Sequence, residues 1–180
     1  MANITVKRNP FIIGVMGSHR DDADYIEEAR RLGEEIAKRG HVLLTGGGTG
    51  IMRAACEGAY KVGGLVIGIL PHERKRPLDG YPNEFVDIAI FTGMYDARNV
   101  INAKTPHIMI ALNGNVGTIA EIVLAMNAGT PVIGLHCPDI PVKGDYAFTR
   151  VDSLEEALRK MDELLDRIDE KFYITPSEGV

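Results

Sequence analysis

Short apolar runs alternating with amphipathic stretches set the pattern of this chain. Residues 11–16 (FIIGVM), 41–44, 65–70 (LVIGIL), 86–91, 108–112 and 131–135 each read as a buried strand. They are too short for helices and rich in β-branched residues. Residues 147–151 add a short seventh strand. Between them, Ile26, Ala29, Gly33, Ile36 and Ala37 fall at helical spacing; Asp21 or Asp22 caps that helix and Gly40 ends it from the C′ position. A second helix, 51–62, carries the small residues Ala54, Ala55, Gly58 and Ala59. Met94, Ala97 and Ile101 mark one face of a helix after Thr92-Gly93, and 118–128 forms another. Ser153 with Glu156 makes a capping box for a last helix, whose Leu154, Ala157, Leu158, Met161, Leu164, Leu165 and Ile168 share a face. Beyond Phe172 the chain is polar, a frayed tail. Strands alternating with helices predict an α/β fold, a doubly wound and mainly parallel sheet of six to seven strands with helices on both faces. The 180 residues suit a single domain, 1–180, with its core at about 10–170.

Composition narrows the class of partner. A net charge of −5 gives no electrostatic reason to expect nucleic acid. No apolar run approaches the ~20 residues that span a membrane, and the start MANITVKRNP lacks the apolar segment of a secretory signal. Cys56 and Cys137 lie far apart and form no C-x-x-C, so a reducing, cytoplasmic setting is expected. The five histidines match no metal-ligand spacing; His72-Glu73 lacks the second His of H-E-x-x-H. No metal site is expected.

Residues 45–53 (TGGGTGIMR) follow a strand and open a helix. Gly46, Gly47, Gly48, Thr49 and Gly50 make a loop able to turn tightly and bring its amides to a ligand. The first amides of the next helix lack internal partners and sit at its positive end, so strand, loop and helix start form an anion site. No Lys-Ser/Thr follows, which excludes a P-loop, and no third glycine completes G-x-G-x-x-G. A plain tight turn is the alternative reading. A second glycine turn, 113–117 (NGNVG), opens the helix at Thr118. In a doubly wound sheet ligands bind at the carboxyl ends of the strands beside the switch in strand order. Gly17-Ser18, the glycine loop, Thr92-Gly93 and the turn with Gly114, Asn115 and Gly117 all fall at such ends. With the order 3-2-1-4-5-6, strands one and four flank the switch, and the helix starts after Gly50 and Gly117 face one crevice. An anion is expected on the amides of Gly47 to Ile51 or of Gly117 to Thr118. The loop 71–82 carries Arg74, Lys75 and Arg76, read as a solvated cluster rather than a clamp on that anion.

Glu121 lies early in the helix opened by Gly117-Thr118. The helix start is expected to hold it ionised, able to stabilise positive charge on a sugar ring or orient a water; otherwise it only favours the dipole. Arg98 could fork onto a phosphate or pair with Glu121, or lie at the surface. Asp96 is a weaker candidate for a second carboxylate. His107 reads as structural.

These residues carry a resemblance. Gly46-Gly47-Gly48-Thr49-Gly50-Ile51-Met52 resembles the GGG-x-x-G-[LI]-M signature of the Lonely Guy (LOG) family, long mislabelled lysine decarboxylases, and 113–121 resembles its P-G-G-x-G-T-x-x-E. The similarity runs over about 11–135. It implies a Rossmann-like fold, usually dimeric, and hydrolysis of the N-glycosidic bond of nucleoside 5′-monophosphates. Glu121 matches the motif glutamate and Arg98 the arginine before strand five. Asn113 stands for the motif proline and Asn115 for its second glycine. The M-H-x-R-K start appears as Tyr95-Asp96-Ala97-Arg98-Asn99, without the His and Lys. That variant is similar to a sister branch that includes the molybdenum cofactor carrier proteins.

Two functions of different class follow. One is a LOG-like phosphoribohydrolase with Gly46–Gly50, Gly117 and Thr118 on the phosphate, Arg98 orienting it and Glu121 at the ribose; Gly17, Ser18, Thr92, Asn99, Gly114 and Asn115 complete the expected site. The other holds a phosphorylated pterin or nucleotide without turnover. No cofactor is required in either; the bound group is a nucleotide or molybdopterin-type ligand, and a homodimer or larger assembly is expected. Nothing supports a pyridoxal phosphate site, so the decarboxylase label is rejected.

Overall fold

The computed structural model describes residues 3–7, 9–20, 24–141, 144 and 146–172, with side chains described as far as residue 168. Its strands are β1 (Ile12–Gly17), β2 (Val42–Thr45), β3 (Val66–Leu70), β4 (Ile88–Phe91), β5 (Ile108–Leu112), β6 (Val132–Leu135) and β7 (Phe148–Val151). The helices are α1 (Ile26–Lys38), α2 (Ile51–Lys61), α3 (Asn99–Lys104), α4 (Val116–Ala128) and α5 (Leu154–Phe172), with a 3-10 turn, Tyr95–Arg98, leading into α3. The expected single helix after Gly93 is thus a tight turn plus a short helix. The expected Asp21 or Asp22 cap lies outside the described residues; the cap position of α1 is Tyr25, left-handed at φ 71 and without a side-chain cap. Ser153 Oγ accepts from Glu156 N at 3.2 Å, as the capping box requires. Residues 173–180, the expected tail, lie outside the described residues.

All seven strands are parallel, in the order β4-β3-β2-β1-β5-β6-β7. The expected order fails at one strand. β4 adds outside β3, so β1 and β5 flank the switch and β4 is an edge, with Ile88 and Ile90 half-exposed. A parallel pair needs a long crossover, and residues 71–87 supply it without a helix.

The strands alternate their side chains between two cores. On one face Ile13, Val15, Leu43, Val66 and Ile110 pack against α1, α2 and α5. On the other, Met16, Leu44, Ile69, Met109 and Ala111 pack against α3 and α4. The small residues of α2 serve contact with α1 inside the chain: Ala54, Ala55, Cys56, Gly58 and Ala59 are all buried. α4 keeps an unpartnered apolar face, with Val116 86% and Val123 43% exposed. No helix among the described residues is long and apolar enough to cross a membrane.

The sheet's other end is closed by two histidines. His107 Nδ1 accepts from Ile12 N at 3.0 Å and His41 Nδ1 from Phe11 N at 3.4 Å, with the Phe11 ring between the two imidazoles. Both nitrogens must be unprotonated to accept. Burial is the chief cause that lowers both pKa values, that of His41 to about 4 from 6.5. The folded chain therefore keeps His41 neutral where the unfolded chain takes up a proton. Stability is full above pH 6.5 and falls as pH drops towards 4. We expect the urea midpoint to fall between about pH 7.5 and pH 5, with His41 contributing roughly 2 kcal/mol, and His41→Gln to flatten the profile. An unchanged wild-type midpoint would refute this.

Candidate functional site

The carboxyl ends of β1 and β5 bound a cavity of about 640 Å³, within the range of small-molecule sites. Ser18, His19, Arg20 and Asp24 line it from the β1–α1 connection, Asn113, Asn115, Val116 and Gly117 from the β5–α4 turn, and Asp96 from the 3-10 turn. Of the residues expected from sequence, Ser18, Asn115 and Gly117 meet here, together with Asp96, the weaker carboxylate candidate. His19, Arg20, Asp24 and Val116 were not anticipated. The signal for Arg20 is its place in the polar loop directly after Gly17-Ser18, at the end of the central strand.

The floor of the cavity is the start of α4. Asn113 adopts φ 56, a left-handed conformation that asparagine tolerates and that proline, locked near −65°, cannot enter. Its Oδ1 accepts from Gly114 N at 2.8 Å. Asn115 caps the helix: its Oδ1 accepts from Thr118 N and from Thr118 Oγ1, each at 3.0 Å. The two asparagines that depart from the LOG motif therefore fix this turn. Asn115 also occupies the third helical amide, leaving those of Val116 and Gly117 at the positive end of the dipole for an anion. Thr118 is buried beneath.

The glycine loop is built differently. Ile51 N, the first amide of α2, donates to Ser18 O at 2.9 Å, and Thr49 Oγ1 donates to His19 O. Gly47 N donates to Thr45 Oγ1 at 3.0 Å; the carbonyls of Gly47 and Gly48 accept from Asn83 N and Nδ2 at 2.8 and 2.9 Å. A Cβ on Gly46 would stand 2.5 Å from Arg98 Nη1, and one on Gly48 2.6 Å from the Tyr81 ring. These glycines make room for protein groups. The loop buttresses the β1–α1 connection from behind and does not line the cavity; Thr49 and Gly50 border a separate hollow beside Arg30 and Arg53. The two helix starts expected to share a crevice lie on opposite faces of the sheet.

Arg98 is buried, and its Nη1 donates to Gly46 O at 2.6 Å and to Ile69 O, with the guanidinium 5.9 Å from the Tyr81 ring centroid. It bonds the ends of β2 and β3, not Glu121. Glu121 stands in the second turn of α4, 8% exposed, its Oε1 accepting from Asn102 Nδ2 at 2.9 Å. The expectation that the helix start holds it ionised is reversed. Burial raises its pKa, against the Asn102 hydrogen bond and the Arg98 charge that lower it. Asn102 Oδ1 is buried without a partner among the described residues. Thr92 is structural: its hydroxyl donates to Leu70 O at 2.7 Å and accepts from Met94 N at 3.1 Å. Asn99 opens α3 and, like Gly17, Glu121 and Arg98, is not a cavity residue. Of the loop cations, Arg74 lies over the Phe91 ring at 4.9 Å.

The chain is similar in sequence and fold to known proteins. The family description SLOG cluster4 matches residues 10–164. A protein of Archaeoglobus fulgidus is 42% identical over 146 residues, 81% of this chain and 91% of its own length. The molybdenum cofactor binding protein of Rippkaea orientalis is 33% identical with a TM-score of 0.76, covering 88% of this chain and 99% of that one. The Moco carrier protein of Chlamydomonas reinhardtii is 34% identical with a TM-score of 0.75, covering 89% and 99%. The cytokinin riboside 5′-monophosphate phosphoribohydrolase LOG of Oryza sativa matches less of the chain, 32% identity over 102 residues, 56% of this chain and 41% of that protein.

Arg98→Ala would orphan two buried carbonyls and release Tyr81. We expect it to cost about 3 kcal/mol in urea unfolding, and Arg98→Lys to restore only part, since a lysine lacks the planar fork. An Arg98→Ala midpoint equal to wild type would show that these contacts contribute nothing.

Proposed function

The chain belongs to the SLOG cluster4 family, and from that premise we propose that it binds and carries a small phosphorylated heterocycle, a pterin of molybdenum cofactor type or a nucleotide, without turning it over. The observation that carries this reading is that Glu121 is buried on Asn102 and is not among the residues that line the cavity. The α4 start opens on the cavity, whereas the motif glutamate is withdrawn one turn deeper onto Asn102. The phosphate lies on the amides of Val116 and Gly117, with Arg20 as its counter-charge. In this reading recognition goes through phosphate and ring. The carrier proteins that this chain resembles over nearly their whole length support the reading. The buried thiols of Cys56 and Cys137, pushed up to about 11 and about 12, suit a reducing cytoplasm. The uncovered apolar face of α4 suits a second copy of the chain.

Hydrolysis of a nucleoside monophosphate is the second reading. One observation favours it: the charge of Arg98 acts on Glu121, and both stand at the motif positions. Transition-state charge on the ribose would make Glu121→Gln lower kcat by about 100-fold with little change in affinity. Purified protein would be titrated with nucleoside monophosphates by calorimetry, and release of free base followed by chromatography. We expect binding with no base released, and unchanged affinity in Glu121→Gln. Release by wild type that the Gln variant abolishes would overturn the carrier reading.

A further inference from the structure

The cavity holds fixed charges of both signs that do not neutralise one another. Arg20, Asp24 and Asp96 all line it, and neither aspartate's carboxylate makes an ion pair or hydrogen bond with any described residue. A phosphate on the α4 start explains Arg20. It does not explain the carboxylates, which repel an anion. An ionised carboxylate only accepts hydrogen bonds, so a ligand that engages both kinds of group is anionic at one end and carries N–H or O–H donors at another. The two kinds of group come from different segments of the lining: the amides of Val116 and Gly117 from the β5–α4 turn, and Asp96 from the 3-10 turn before α3. Val116, 86% exposed, offers apolar surface to a ring held between them.

We infer that Asp96 selects the ligand's ring by accepting from a 2-amino-4-oxopyrimidine edge, the ring N–H and exocyclic amine shared by guanine and pterins. This rests on the reading above that the cavity takes a phosphorylated heterocycle, and adds which heterocycle. The two carboxylate oxygens match two parallel N–H donors in a charge-assisted pair. Hypoxanthine keeps the ring N–H and lacks the amine. Adenine turns an acceptor nitrogen to the carboxylate and is repelled. Asp24 lies on the β1–α1 connection with Arg20 and is given no part in reading the ring.

Four probes separate the possibilities: GMP, IMP, AMP and ribose 5-phosphate, titrated calorimetrically with chelator present. Wild type should bind GMP at least about tenfold tighter than AMP, with IMP between, since a site that hydrogen-bonds an N–H rejects an analogue lacking it. Asp96→Asn should bring GMP and AMP within about twofold while changing ribose 5-phosphate by less than that; Arg20→Gln should weaken all four alike. Asp96 is exposed and unpaired among the described residues, so its variant retains the fold; circular dichroism checks this. Equal binding of GMP and AMP by wild type overturns the assignment of Asp96. So does an Asp96→Asn variant that loses ribose 5-phosphate as strongly as GMP, which would place the carboxylate on the sugar. If none of the four probes binds, the phosphate reading itself fails, and this inference with it.

Discussion

A buried guanidinium must find acceptors or the fold cannot hold it. Arg98 finds two in carbonyls at the ends of neighbouring strands, Gly46 and Ile69, and a third contact in the face of Tyr81. Much of the upper surface of the sheet follows from that placement. Gly46 has no room for a side chain because Arg98 fills it, and Gly48 has none because Tyr81 does. The glycine loop, pinned by Asn83 and by these rings, presents Thr49 and Ile51 to the β1–α1 connection. That connection carries Ser18, His19 and Arg20 into the cavity. On its other side, Arg98 ends the 3-10 turn, so its anchoring sets Asp96 at the cavity wall and places Asn102, one turn on, against Glu121.

The division of labour between the two glycine turns has an electrostatic logic. Both open helices at strand ends, and both start with positive dipole ends. In α2 the first amide is spent on Ser18 O, so the dipole stabilises a protein carbonyl. In α4 the cap is a side chain, Asn115, which takes the third amide and leaves the first two at the cavity. The asparagines at 113 and 115 thus shape the helix start that borders the cavity. Glu121, a full turn further in, lies where burial outweighs the dipole, and its raised pKa follows from depth.

Most of the fold was legible because the inner strands are buried on both faces. β5 matches its apolar run residue for residue, and β1, β3 and α4 differ by a residue or two at their ends. What failed was order. The run 86–91 reads the same whether its strand lies at the centre or the edge, because only its neighbours distinguish them; the polar crossover 71–87 carries β4 outward past β3. The site was legible in part for a related reason. Ser18, Asn115 and Gly117 sit on turns that sequence marks, and the cavity gathers them. The four glycines at 46–50 gave a strong but ambiguous signal: absence of a Cβ permits a ligand or a neighbouring side chain equally, and here Arg98 and Tyr81 claim the space. Arg20 and Asp24 were missed because a charged loop residue has no periodicity to betray it.

The depth of Glu121 and the openness of the α4 start bear on how one scaffold could host both holding and cleaving. Binding a phosphate needs only amides aimed at the anion and a counter-charge, and both are backbone or loop properties that survive small shifts of the helices. Cleaving an N-glycosidic bond needs a carboxylate ionised beside the sugar, because only a charge present in the transition state lowers the barrier. Burial raises the pKa of Glu121, against the Asn102 hydrogen bond and the Arg98 charge that lower it, and its oxygen is held by Asn102 rather than turned to the cavity lining. Turning this seat into a catalytic site would require Glu121 to reach the cavity and regain solvation, which the close packing of α3 on α4 opposes. The hydrogen bond from Asn102 to Glu121 is thus the contact that a catalytic role for the glutamate would first have to break.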